Sequence, residues 1–166
     1  MIDILQAAII FALPCWVANM AFSLIVPLKR VVPLVAQIDR PLDHGASLGG
    51  SRIFGDSRNY AGLILALVLA LSWGIAAHDP LVGAKIMLTF VGAVLGSFIK
   101  RRFRLRSGQK MPVLDQLDYM FVVGGIWYFF GFESGAVVCM AMLITLIGQP
   151  TISYVAFLLR LKDKPY

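Results

Sequence analysis

Charge is scarce in this chain. Only 14% of its 166 residues are Asp, Glu, Lys or Arg, against 59% hydrophobic residues, and the mean hydropathy is +0.81. So little polar surface cannot cover a small domain in water, which excludes an ordinary soluble fold and predicts lipid as the solvent. Cysteine is scarcer still: Cys15 and Cys139 both fall inside apolar runs, where they read as small hydrophobes without a disulfide or metal partner. Walker-type and dinucleotide fingerprints are missing, as are the internal repeat and paired broken helices of a transporter. The first apolar run, after Asp3, lacks the basic leader and small-residue cleavage site of a secretory signal and is read as a mature helix.

What the chain does have is a series of apolar runs, each near the roughly 20 residues that a helix needs to span the hydrocarbon core. The predicted fold class is an all-α integral membrane protein, one membrane domain over residues 1–166, with about five transmembrane helices at about 4–28, 60–77, 81–99, 117–132 and 135–159. Pro14, Asn19 and Ser23 interrupt the first run, so that helix is expected to face protein on one side. Gln149-Pro150 is expected to break the last one. Two polar segments remain, 29–59 and 100–116. The first shows no sustained periodicity and reads as a long functional loop.

The formal charge of +6 would suggest nucleic acid in a soluble protein, but here the positive-inside rule accounts for it and no nucleic-acid partner is predicted. Five Lys or Arg residues lie in the first polar segment, six in the second and three after the last helix, leaving only Lys85 elsewhere. Fourteen of fifteen therefore fall on one side. That places the amino terminus outside and both polar loops, with the tail Arg160 to Tyr166, in the cytoplasm.

Three constellations carry candidate chemistry. Ser97, Lys100, Arg101 and Arg104 share a helix face beside Arg102. This is an anion-facing stripe, or else a stop-transfer cluster touching lipid headgroups. Asp115 and Asp118 sit one helical turn apart at the mouth of the fourth span, near enough to share a hard cation such as Mg²⁺. Helix capping explains one such Asp but not two. In the first loop, residues 49–59 combine glycines with Arg52, Arg58 and Asp56, which suits phosphate. The competing reading is an interfacial loop with Asp56 capping the second span. Together these groups describe a site that joins a phosphorylated soluble molecule to a lipid.

The motifs resemble those of the CDP-archaeol synthase family, membrane cytidylyltransferases similar to the CDP-diacylglycerol synthases. Pro14-Cys15-Trp16-Val17-Ala18-Asn19 is similar to the family's P-x-[WY]-x-A-N, and Pro41-Leu42-Asp43 with Arg52-Ile53-Phe54-Gly55-Asp56 to its P-x-D and R-I-[LF]-G-D elements. Ser97-Phe98-Ile99-Lys100-Arg101-Arg102 and Leu114-Asp115-Gln116-Leu117-Asp118 resemble S-F-I-K-R-R and L-D-Q-L-D, the most specific pair, and Leu161 to Tyr166 resembles the family's ending. The resemblance implies Mg²⁺-dependent transfer of CMP from CTP to the phosphate of an archaeol-type ether lipid or a related lipid, releasing pyrophosphate. It implies Asp115 and Asp118 as metal ligands, a further carboxylate from Asp56, phosphate contacts from Arg52, Arg58, Lys100, Arg101 and Arg102, and hydrogen bonds from Ser97 and Asn19.

Departures accompany the resemblance. The family's G-D-x-x-x-S arrangement reads Gly92-Ala93 ahead of Ser97, so an expected Asp is missing and with it a metal ligand. Gly49-Gly50-Ser51-Arg52 and Asp56-Ser57-Arg58-Asn59 stand where D-G-R-R and D-G-K-T are expected, and Gln149-Pro150-x-x-Ser153 replaces H-P-x-x-N. A catalytically impaired relative that binds nucleotide or anionic lipid, or a non-enzymatic membrane protein, is the alternative. A CDP-alcohol phosphotransferase is disfavoured, because its D-G-x-x-A-R core has no counterpart here. The oligomeric state, a homo-oligomer included, is left open.

Overall fold

Apolar residues on every face of a helix leave it no way to hide one side from water, and the helices here place that surplus outward. A computed structural model describes residues 3–23, 25–106, 109, 111 and 113–158. Its elements are α1 (Ile4–Ser23), α2 (Ile25–Val31), α3 (Pro33–Ile38), β1 (Ser47–Leu48), β2 (Ser51–Arg52), α4 (Tyr60–Ala76), α5 (Pro80–Arg102), α6 (Leu114–Phe129) and α7 (Gly135–Leu158). Ile10, Leu71, Ile75, Ile147 and Phe129 are among the large apolar side chains left exposed, a surface that lipid solvates and water does not. Helices α1 and α5 are long and apolar enough to cross a membrane; α4 and the Gly135–Thr151 part of α7 are shorter apolar helices.

Helix α5 is the centre of the bundle, flanked by α4, α6 and α1, while α7 closes on α1 and α6. Ala8, Phe11, Ala12 and Cys15 of α1 meet Leu117, Tyr119, Met120, Val123 and Trp127 of α6 and Val137, Val138 and Ala141 of α7. Small residues let backbones touch, as expected where packing must hold helices together in lipid. A Cβ on Gly83 would come 2.6 Å from the Ala70 carbonyl of α4, and one on Gly92 would come 2.4 Å from Tyr119 Cα of α6. Lys85 lies over the Phe11 and Trp127 rings, 4.7 and 5.5 Å from their centroids. Trp16 Nε1 donates to Thr145 Oγ1 at 2.8 Å, tying α1 to α7.

Several expectations change. The first run does not continue as one helix to residue 28: α1 ends at Ser23 and α2 is a separate short helix. The last helix is not broken at Gln149-Pro150, since α7 runs through Pro150. Proline removes one ladder hydrogen bond and crowds the preceding turn, but neighbouring helices hold such a helix together. The polar segment 29–59 is not structureless either. It contains α2 from Lys29 to Val31, α3, and a hairpin whose two-residue turn, Gly49-Gly50, has φ values of 59° and 77°. Both central positions of that turn need positive φ, which glycine takes without strain. Lys110, Pro112 and the tail 159–166 lie outside the described residues.

Candidate active site at the ends of three helices

Asp43 organises the first loop. Its buried carboxylate accepts from Arg52 Nη2 at 2.5 Å and Nε at 3.2 Å, and from the backbone N–H groups of Phe54, Gly55 and Gly45 at 2.9, 3.0 and 3.1 Å. The Arg52 guanidinium, with the three N–H donors, holds that carboxyl well below the usual carboxylate range. In return Asp43, and more weakly Asp56, raise the Arg52 pKa. In the sequence Asp43 stands out only as part of the P-x-D motif. Its role is a convergence of donors from Gly45, Arg52, Phe54 and Gly55 that no spacing reveals.

The folded loop then delivers Arg58 to α5. Pro41 pairs with Asn59, Leu42 N donates to Arg58 O at 2.8 Å, and Tyr60 N to Arg40 O at 3.0 Å. Asn59, not Asp56, caps α4, its side chain accepting from Gly62 N at 2.8 Å. One residue earlier, Arg58 Nε donates to Ser97 Oγ at 2.7 Å, and Ser97 Oγ in turn donates to the Ala93 carbonyl at 3.0 Å. Arg58 as a residue is half-buried, but burial of its guanidinium end lowers its pKa, opposed by Asp118 and Asp115.

Asp115 and Asp118 come from the first turns of α6. That helix starts from Val113, a β-branched residue at φ 68° and ψ −55°, a strained γ-turn geometry of the kind that collects at functional sites. Asp115 Oδ2 accepts from Met111 N at 2.9 Å. Lys100 Nζ forms an ion pair with Asp115 Oδ1 at 2.7 Å, and among the described residues that buried oxygen has no further donor. Asp118 Oδ1 accepts from Tyr119 N at 2.8 Å. The rest of its carboxylate lies on the bare backbone of Gly96, where a Cβ would come 2.3 Å from Oδ2. Arg101, only 4% exposed, has no acceptor for its Nε among the described residues.

Arg58, Ser97, Lys100, Asp115 and Asp118 therefore come together at the adjoining ends of α4, α5 and α6, with Arg101 buried on the same turn of α5. Other sequence candidates have different partners. Arg52 is held between Asp43 and Asp56, the latter at 3.0 Å. Asp56 is exposed and does not join the α6 carboxylates, and among the described residues no three His, Cys, Asp or Glu side chains gather. Arg102 donates to the hairpin carbonyls of Leu48 and Arg52 at 2.7 and 2.8 Å and stacks on Phe98, tying α5 to the loop. Arg104 leaves the expected stripe because α5 has ended and its φ is 58°. Asn19 is half-buried on α1 and has an interaction partner of its own.

A family profile described as CarS-like, CDP-archaeol synthase, matches residues 77–166, and relatives match across the whole chain. A CDP-archaeol synthase of Saccharolobus islandicus is 30% identical over 181 aligned positions, covering 99% of this chain and 97% of the relative. The chain belongs to the CDP-archaeol synthase family. Another CDP-archaeol synthase, from Methanopyrus kandleri, is 32% identical, with 94% and 90% covered. A solved structure described as an intramembrane enzyme for archaeal membrane lipids biosynthesis superposes with a TM-score of 0.67 at 28% identity, covering 90% of this chain and 94% of its own. Membership makes the chain a membrane protein and a CTP-dependent cytidylyltransferase that forms a CDP-lipid, with an archaeol-type lipid phosphate as a fitting acceptor.

Proposed function

We propose that the ends of α4, α5 and α6 form the cytidylyltransferase site, facing the cytoplasm in a five-span topology with the amino terminus outside. What supports this is the Arg58–Ser97 contact at 2.7 Å beside Asp115 and Asp118. It draws cations and carboxylates from three separate stretches of chain to one membrane-edge cluster. The positive-inside bias supports the orientation: fourteen of fifteen Lys and Arg lie in the sequence segments expected on one side, and Arg58, Lys100 and Arg101 of the cluster belong to two of those segments.

In this reading Arg58, Lys100 and Arg101 neutralise the triphosphate of CTP, and Ser97 holds the Arg58 guanidinium in place. An oxygen of the lipid phosphate attacks the α-phosphorus, the bond to the β-phosphate oxygen breaks, and pyrophosphate leaves. The nucleophile is already anionic, so no strong base is required; positioning and charge neutralisation carry the rate. Asp115 and Asp118 suit Mg²⁺, which is commonly held by one or two carboxylates together with substrate phosphates rather than by a protein cage. Asp115 Oδ1 is paired with Lys100 Nζ at 2.7 Å, an ion pair that the substrate phosphates would draw apart, freeing that oxygen for the ion. Bound there, Mg²⁺ would add positive charge against the phosphates.

Ala93 supports a second reading. It is buried one turn before Ser97, and with two carboxylates in the cluster among the described residues the site is that of a nucleotide binder with weak turnover. Purified protein, labelled CTP, Mg²⁺ and a panel of phosphorylated lipids distinguish the two. A CDP-lipid product that disappears in Asp115→Ala supports the transferase; metal-dependent CTP binding without product supports the binder.

A further inference from the structure

We infer that Gln149 of α7 is a recognition residue for the acceptor lipid, donating its carboxamide N–H to an oxygen at the phosphate-bearing end of that lipid. This rests on the function proposed above and adds the acceptor side of the same site. A carboxamide on an apolar helix is costly in lipid unless it is paired or functional. The other hydrogen-bonding side chains described on this part of α7 are satisfied within the protein. Thr145 Oγ1 donates to Ala141 O at 2.7 Å and accepts from Trp16, and Thr151 Oγ1 donates to Ile147 O at 2.9 Å. Gln149 uses only its oxygen, which accepts from Tyr119 Oη at 3.3 Å. Among the described residues its NH₂ group has no acceptor.

Tyr119 links Gln149 to the carboxylate cluster. Tyr119 is only 1% exposed, its Cα packs on Gly92, and it follows Asp118 in the chain. It ties the carboxylate-bearing turn of α6 to the amide oxygen of Gln149 on α7. Beside it Gly148 faces open space, with nothing within 4 Å of an added Cβ, and Ile147 is 72% exposed toward the bilayer. A lipid whose phosphate reaches Asp115 and Asp118 carries its glycerol oxygens at the adjoining membrane depth. Those oxygens accept hydrogen bonds and cannot donate, matching the free half of the amide.

The test compares Gln149→Leu, Gln149→His and Tyr119→Phe with the parent in detergent. Binding of an archaeol-type lipid phosphate is read from tryptophan fluorescence without CTP, and Mg²⁺-CTP binding from calorimetry without lipid. Gln149→Leu is expected to weaken lipid-phosphate binding about tenfold, the scale of one lost hydrogen bond to a polar or charged group, with CTP binding unchanged. Gln149→His, which restores a donor, is expected to recover most of that loss. Tyr119→Phe, where only the positioning contact goes, should show a smaller loss of the same kind. Unchanged lipid binding in Gln149→Leu, or an equal loss of CTP binding, overturns the inference, as does a parent that binds no lipid phosphate. A parent that binds lipid phosphate through Gln149 but forms no CDP-lipid leaves the inference standing and overturns the transferase reading.

Discussion

Gly96→Ala is the sharpest probe of the α5–α6 contact, because it adds one methyl group where the structure has no room. The new Cβ would lie 2.3 Å from Asp118 Oδ2 and 2.6 Å from Asp118 Cβ, whereas ordinary contact begins at 3.4 Å. The carboxylate must retreat by about 1 Å, and a misplacement of that size costs about 10²-fold in rate. Sliding α6 away as a body is no cheap alternative, since Tyr119 Cα already rests on Gly92 one turn earlier. Overpacking costs about 1–3 kcal/mol, partly offset by about 1 kcal/mol of helix propensity gained from Gly to Ala. The expected result is thus a loss of no more than about 2 kcal/mol of stability, read from the melting midpoint, with CDP-lipid formation down about 10²-fold and a higher half-saturating Mg²⁺ concentration. Gly125→Ala is the control: nothing lies within 4 Å of its added Cβ, and activity should be retained. Gly96→Ala turning over within twofold of the parent, at an unchanged Mg²⁺ requirement, would refute the placement of Asp118 in the site.

Other outcomes follow from the same contacts. Arg58→Lys removes the Nε donor to Ser97 and the planar guanidinium, and should cost about 10²-fold in kcat/KM for CTP; Ser97→Ala, which leaves the guanidinium in place, should cost less. Asp43→Asn should lower stability at neutral pH by about 1.5–3 kcal/mol, the scale of hydrogen bonds to a charged group. Because the folded pKa of Asp43 is depressed by Arg52, its contribution is whole above the ordinary carboxylate value of about 4 and is lost as pH falls through the folded one. Melting midpoints between neutral pH and pH 3 should therefore show an acid-side loss in the parent that Asp43→Asn lacks. Ala93→Asp should lower the Mg²⁺ concentration needed for CTP binding, read by calorimetry; an unchanged requirement would mean that position 93 is not a missing ligand.

The helices were largely legible because lipid imposes a simple code of length and hydropathy. Tyr60 starts α4 as expected and α5 starts at Pro80, one residue before the expected 81, while the breaks near Arg102 and Phe129 fall close to where charge or glycine interrupts the runs. Pro150 misled because local chain stiffness was weighed without the neighbouring helices that hold α7 together. The hairpin at Gly49-Gly50 carried a recognised turn signal, but its strands are two residues long and show no alternation to see. The carboxylates and basic residues flanking the α5–α6 junction were visible as charges at a membrane edge. Which arginines serve which role was not. Arg52, Arg58 and Arg102 look alike in sequence, and only the fold gives the first to Asp43, the second to Ser97 and the third to hairpin carbonyls. Gln149 belongs to the same class, since its tie to Tyr119 spans thirty positions of chain.

In the proposed site Asp115, Asp118 and the cations around them turn CTP and a phosphorylated lipid into a CDP-lipid. The most direct measurement is product formation from labelled CTP, Mg²⁺ and an archaeol-type lipid phosphate by purified protein, with chelator and Asp115→Ala in parallel. The parent should form CDP-lipid and pyrophosphate in equal amounts, and neither should form with chelator or in the variant. No CDP-lipid from any phosphorylated lipid, or an Asp115→Ala protein as active as the parent, would contradict that role.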